Sequence, residues 1–198
     1  MKQPSVYSKE QILDAANQVI RRSGWNAATT RMIAKELGSS TMPIYSQFRS
    51  REKLEEELRQ RARQMLVEYQ QRQYSQHPLL NAAFGYVKFA RDERNIFRLL
   101  FMEPPAGSEK AKGGAMIDSF KSELGEEALR GTILEQLPAA GQSALVEHSW
   151  IFTHGLAMMV NAGGAASFHD DKVMELLMNA GQAFFLLESS KEKMDPGK

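Results

Sequence analysis

The chain has 198 residues, 42% of them hydrophobic and 25% charged, and no cysteine. That is enough for a sizeable core in one large or two small domains, and it excludes disulfides and thiolate metal sites. Net charge is +1 but uneven: residues 1–53 hold nine Lys/Arg against four Asp/Glu, or +5, and the remainder sixteen against twenty, or −4. A basic head on an acidic body suits an N-terminal polyanion-binding module. The longest stretch without Asp, Glu, Lys or Arg is His148–His169. With Thr153, His154, Asn161 and paired glycines inside it, it reads as a buried helix rather than a membrane span. No secretory leader pattern opens the sequence, and a reducing cytoplasm is the simplest setting.

Residues 1–7 lack periodicity and read as a tail. Ser8 and Gln11 form a capping box, and Ile12, Ala16, Val19 and Ile20 follow on one face, so a first helix runs to about Ser23 and ends at Gly24. Thr29–Phe48 reads as two short helices joined by a tight turn. Thr30 caps the first, which carries Ile33, Ala34 and Leu37 inward; Gly38 takes the turn. Ser40 caps the second, with Pro43 in its first turn and Ile44, Tyr45 and Phe48 as its stripe. This is the pattern of a helix-turn-helix, whose second helix enters the DNA major groove. The competing reading is an ordinary helical hairpin.

Ser50 and Glu52 open a long helix to about Tyr74, with the narrow stripe Leu54, Leu58, Ala62, Met65 and Tyr69 and wet flanks, as suits a connecting helix. Arg59, Arg61 and Arg63 read as a solvated face, because Glu55, Glu56 and Glu57 lie one turn away. After the break at His77-Pro78, helices follow around Leu80, Phe84 and Val87 and over Ile96–Met102. Glu103–Gly114 is a loop rich in Pro, Gly and Lys. Residues 115–137 read as one helix, or two broken at Gly125, with Ile117, Phe120, Leu124, Leu129, Ile133 and Leu137 inward.

The last two helices, about 139–162 and 170–188, are apolar on two sides. In the first, one side carries Leu145, Phe152, Leu156 and Met159, and the other Ala144, Ile151, Gly155, Met158 and Ala162. In the second, Val173, Leu177, Ala180, Phe184 and Leu187 oppose Met174, Met178, Gly181 and Phe185. A helix apolar on two sides must bury both, and a second copy meeting these helices by two-fold symmetry is the simplest cover.

No strand alternation, repeat or glycine-rich phosphate loop is present. His148 and His154 lie about 120° apart around a helix, too far to act as paired ligands, and no Glu-x-x-His pair suggests a di-iron site. No strand-to-helix turn presents a nucleophile. The sequence therefore points to no enzyme, no cofactor and no metal. It does offer an apolar wall with a few polar groups: Phe84, Phe97, Phe101, Trp150, Phe152, Met158 and Phe184, with His154 and Asn161 as orienting groups. Each of these residues also serves as plain core.

Ile12-Leu13-Asp14-Ala15-Ala16, Gly24 ahead of Thr29-Thr30, Ile33-Ala34, Gly38, Ile44-Tyr45, Phe48 and Ser50-Arg51-Glu52-Lys53-Leu54 come in the order and place that resemble the TetR family of bacterial one-component regulators. Trp150-Ile-Phe-Thr-His154-Gly155 also resembles the Trp-His-Gly signature of one group of such C-terminal domains. The resemblance implies an all-α protein: a three-helix helix-turn-helix domain over 1–53, joined by a long helix to a helical ligand-binding and dimerisation domain over 54–198. It implies a homodimeric repressor on an inverted-repeat double-stranded DNA operator, released by an apolar small-molecule effector that changes the separation of the two heads. By position, Thr41, Met42, Pro43, Ser46 and Gln47 face the groove, with Ser40 at the helix N-terminus and Tyr45 on a phosphate. Thr30, Arg31 and Lys53 take backbone-contact positions. The family often has Lys or Gly where this chain has Thr41 and Met42. Gln47 can bond adenine bidentately, and Thr41 or Met42 can touch a thymine methyl. The alternative function is an all-helical small-molecule or protein-binding module that reads no DNA.

Overall fold

Several of the helices begin where a serine or threonine hydroxyl takes up a free backbone amide. Ser8 Oγ accepts the Gln11 N–H at 3.2 Å while Gln11 Oε1 accepts the Ser8 N–H at 2.9 Å, and this reciprocal cap opens α1, Lys9–Ser23. Ile12, Ala16, Val19 and Ile20 are fully buried on one side of it. In the computed structural model, residues 7–104, 132–163 and 168–194 are described.

The cap of α2, Thr30–Leu37, is Thr29 rather than Thr30: Thr29 is extended (φ −73°, ψ 155°) and its hydroxyl accepts the Met32 N–H, while Thr30 is already helical. Gly38 then adopts the left-handed conformation (φ 65°, ψ 34°), and its N–H returns to the carbonyls of Ala34 and Lys35. The second helix of the pair, α3, is Met42–Phe48. Its regular part starts one residue later than a Ser40 cap requires, yet Thr41 already has helical dihedrals and Ser40 Oγ accepts the Met42 N–H at 3.4 Å, a long capping bond.

Ser50 Oγ accepts the Lys53 N–H at the start of α4, Arg51–Gln70. A backbone N–H and the Ser50 hydroxyl hold the Glu52 carboxyl below its ordinary range, as expected beside free helix amides. The helix stops at Gln70, four residues short of Tyr74. The Asn81 side-chain carbonyl there collects the N–H groups of Tyr74 and Ser75, so the backbone is satisfied without another helical turn.

The remaining helices are α5, Pro78–Asp92; α6, Arg94–Phe101; α7, Ala139–Asn161; and α8, Asp170–Met194, which runs past the expected Glu188. Of the segment expected to be helical over 115–137, the described part holds a 3-10 turn, Ile133–Gln136, and the buried Leu137. Ile117, Phe120, Leu124 and Leu129, and most of the Glu103–Gly114 loop, lie outside the described residues. The described residues are all-α, with no strand. None of their helices is long and apolar enough to cross a membrane.

Residues up to Met65, together with α6, form one compact unit; Leu66–Asp92 with α7 and α8 belong to a second. In the first, α6 lies against α1, where Arg21 of α1 pairs with Glu93 through two 2.7 Å bonds and Asn95 Nδ2 donates to the Arg21 carbonyl. Arg59 departs from the expected solvated face. It is buried, pairs with Glu55 at 2.8 Å, and donates to the carbonyls of Leu99 and Glu103 at the C-terminal end of α6. Arg61 pairs instead with Glu10 and Asp14 of α1.

In the second unit α5, α7 and α8 pack on one another. Gly85 sits where α5 meets the end of α4: a Cβ there would lie 2.2 Å from the Tyr69 carbonyl oxygen and 2.8 Å from Gln70 Cα. The inner side of α7 buries Leu145, Val146, Trp150, Leu156 and Val160. Met159, expected inward with Leu145, is 57% exposed, and Ile151 is 52% exposed. On α8, Met178, Leu186 and Leu187 are also exposed.

Candidate nucleic-acid interface and ligand cavity

The helix-turn-helix has a dry inner side and a wet outer one. Ile33, Ala34, Ile44 and Phe48 are buried against α1 and their own partners. On α3, Met42 is 76% and Tyr45 53% exposed, and Ser46 and Gln47 are exposed beside them. Thr41 and Pro43 are half-buried at the start of the helix, Ser40 is exposed, and Thr30 is half-buried at the start of α2. Ser46 Oγ donates to the Pro43 carbonyl at 2.9 Å. Gln47 Nε2 donates to the Tyr7 carbonyl at 3.0 Å, and Tyr7 in turn donates its hydroxyl proton to the Leu37 carbonyl at 3.0 Å. The residue just before α1 is therefore tied to both helices of the motif.

The head's positive charge is unequally committed. Lys9, Arg21, Arg22 and Lys53 pair with Glu57, Glu93, Glu36 and Glu56. Arg51 lies 4.8 Å over the Trp25 ring and donates to the Ala28 carbonyl. Arg31 and Lys35, one turn apart on α2, and Arg49, just past α3, are exposed and have no acidic partner among the described residues. Three uncommitted cations around an exposed polar helix are what a phosphate backbone requires for positioning. Arg31 was expected from the sequence at a backbone contact; Lys35 was not singled out.

The second unit contains a cavity of about 350 Å³. Leu79 and Leu80 of α5, Leu145 and Phe152 of α7, and Phe184 and Phe185 of α8 supply its apolar wall. Polar groups are few: Ser149 and Thr153 from α7 and Thr132 ahead of it, with the exposed His77 and Gln182. Thr153 is buried, and the buried Ser149 hydroxyl has no hydrogen-bond partner among the described residues.

Of the nine cavity residues expected from sequence, Phe152 and Phe184 lie on this wall. Phe97 and Phe101 belong to α6 in the first unit, where their rings meet at 4.7 Å. Phe84 is buried edge-on against Tyr74 at 4.8 Å. Trp150 is buried and stacks on His154 at 5.0 Å, and His154 Nδ1 shares a 2.9 Å hydrogen bond with the Tyr86 hydroxyl. Burial lowers the His154 pKa and pushes the Tyr86 phenol up. Asn161, fully buried, donates to the Ala90 carbonyl at 2.9 Å, and Met158 is half-buried off the wall. Helical periodicity tells which side chains point inward, but not which of them border a gap. Among the described residues, no three His, Cys, Asp or Glu side chains cluster as a metal site.

Residues 12–58 match the sequence profile of the bacterial regulatory proteins of the tetR family. This segment is a TetR-family domain. Two solved structures share the fold of this chain, both from Rhodococcus sp. RHA1. A TetR-like transcriptional regulator is 20% identical, with 91% of this chain and 97% of that one covered and a TM-score of 0.63. A protein of unknown function is 21% identical, with 93% and 97% covered and the same TM-score. No curated protein sequence matches significantly. Among the cavity residues missed by sequence reasoning are Ser149, Thr153, Leu79 and Leu80. Ser149, a hydroxyl four residues after Leu145 and three before Phe152 on α7, carried the available signal.

Proposed function

We propose that this chain is a transcriptional repressor that binds an inverted-repeat operator as a homodimer and is released by a small-molecule effector. The observation that carries the reading is the exposed polar face of α3, flanked by Arg31, Lys35 and Arg49, within a segment matching the tetR profile. Residues 1–53 read DNA, and 54–198 bind the effector and dimerise. Thr41, Met42 and Pro43 face the groove, where Thr41 or Met42 meets a thymine methyl; Ser46 and Gln47 meet base edges; and Tyr45, Lys53, Arg31, Thr30 and Ser40 meet the backbone. The second copy meets the chain through α7 and α8. The apolar residues exposed there are Ile151, Met159, Met178, Leu186 and Leu187, which a lone chain has no reason to leave in water. The chain is then cytoplasmic, carries no cofactor and catalyses no reaction.

The test is selection of binding sites from random duplex DNA by the purified protein at two salt concentrations. The expected result is an enriched inverted repeat with half-sites about one helical turn apart. Binding indifferent to sequence, or none, refutes DNA reading and leaves a helical ligand- or protein-binding module.

A further inference from the structure

The ligand-binding part of that function assigns the cavity between α5, α7 and α8 a role but no ligand chemistry; its walls narrow the class. At about 350 Å³ it is more than twice the size of the roughly 150 Å³ apolar cavity that takes one benzene ring. Among its described lining residues there is no Asp, Glu, Lys or Arg. An ion entering it would lose its hydration without gaining a counter-charge, so charged molecules are disfavoured. One group inside is unsatisfied. Ser149 lines the cavity, and its buried hydroxyl has no partner among the described residues, although a helical serine can ordinarily bond the carbonyl four residues back. Thr153, one turn on, is buried on the same wall.

We propose that this cavity binds an uncharged, mostly apolar molecule the size of two or three linked or fused aromatic rings, held in orientation by one hydrogen bond to Ser149. This rests on the ligand-binding part of the function above and not on DNA reading. The apolar rings replace water against Leu79, Leu145, Phe152 and Phe184, and the single polar group of the ligand satisfies the hydroxyl that the fold leaves open. Discrimination follows from the walls: adding a charge to the same skeleton loses binding.

The test uses the full chain in the absence of DNA and three probes of one shape. N-phenyl-1-naphthylamine is neutral with one N–H, 1-benzylnaphthalene replaces that N–H by CH₂, and 1-anilinonaphthalene-8-sulfonate adds a negative charge. The neutral amine is expected to bind once per chain, and the sulfonate at least about tenfold more weakly. Ser149→Ala is expected to weaken the amine roughly 3- to 10-fold and to leave 1-benzylnaphthalene unchanged. Ala180→Phe and Ala83→Phe, which fill the cavity from half-buried positions on two different helices, are each expected to abolish binding of both neutral probes while retaining a cooperative melt. Sulfonate binding as tight as the amine overturns the proposal. So does neutral-probe binding that survives both filling variants, or a dimer whose formation excludes the probe because a second copy occupies the cavity. None of these readouts involves an operator, so failure here leaves DNA reading standing, and failure of DNA reading leaves these results interpretable.

Discussion

Replacing Arg59 tests whether the head unit is held by a buried ion pair or merely by packing. Its side chain is 7% and that of Glu55 5% exposed, and the guanidinium also donates to two carbonyls at the C-terminal end of α6. Arg59→Met keeps most of the apolar stem but leaves the Glu55 carboxylate buried without a partner and the Leu99 carbonyl without a donor. Removing one member of a buried pair costs about 3–5 kcal/mol. Neutralising the stranded partner as well, in Glu55→Gln/Arg59→Met, leaves chiefly lost hydrogen bonds, about 1–2 kcal/mol. For a chain of this length each kcal/mol moves the melting temperature by about 2–4 °C. The single variant is then expected to melt about 6–20 °C lower, and the double variant about 2–8 °C lower, by circular dichroism. The same chemistry at the surface serves as control: Lys53 and Glu56, 68% and 64% exposed, also pair, and Lys53→Met is expected to leave the melt unchanged. Single and double variants equal in stability would refute the reasoning, because the penalty would then come from packing rather than from the stranded carboxylate.

The close approach at Gly85 makes Gly85→Ala destabilising: the new methyl meets backbone that cannot step aside, a loss of about 1–3 kcal/mol beyond the roughly 1 kcal/mol that alanine adds to helix propensity. Gly141→Ala, whose Cβ would find only side chains at 3.6–3.8 Å, is expected to raise the melting temperature slightly; a fall would show that its surroundings do not accept a methyl. Because burial holds the His154 pKa below its ordinary 6.5, its neutral form is the one folding favours. That contribution is present above pH 6.5 and is lost as pH falls from there toward the folded value, so urea midpoints should drop between pH 7.5 and 5.5 and drop less in His154→Phe. On DNA, Gln47→Ala is expected to relax preference at one base pair by about 1–3 kcal/mol, and an unchanged site profile would leave Gln47 as a tie to Tyr7 alone. Lys53→Ala is expected to weaken all sequences alike and to reduce the salt slope by about one, read from titrations at several salt concentrations.

What the sequence by itself determined is local: the Ser8–Gln11 cap, the left-handed Gly38, the inward stripe of Ile33, Ala34, Ile44 and Phe48, and with them the helix-turn-helix and the all-α class. These features depend on residues three or four apart, so periodicity and capping chemistry carry them. The exposed residues of α3 follow from the same stripe except Tyr45, which was read inward with Ile44 and Phe48 but is 53% exposed, because only Ile44 and Phe48, four apart, share the buried side. Tertiary structure decided the rest. The carbonyls that receive Arg59 lie forty and forty-four residues away, the Asn81 side chain that ends α4 belongs to the next helix, and α6 joins α1 rather than the body. Phe97, His154 and Asn161 have the polarity and spacing of cavity residues, yet each is spent on a neighbour, while Ser149 borders the space. A gap is defined by the shapes of three helices meeting at once, and no single helix's pattern contains it.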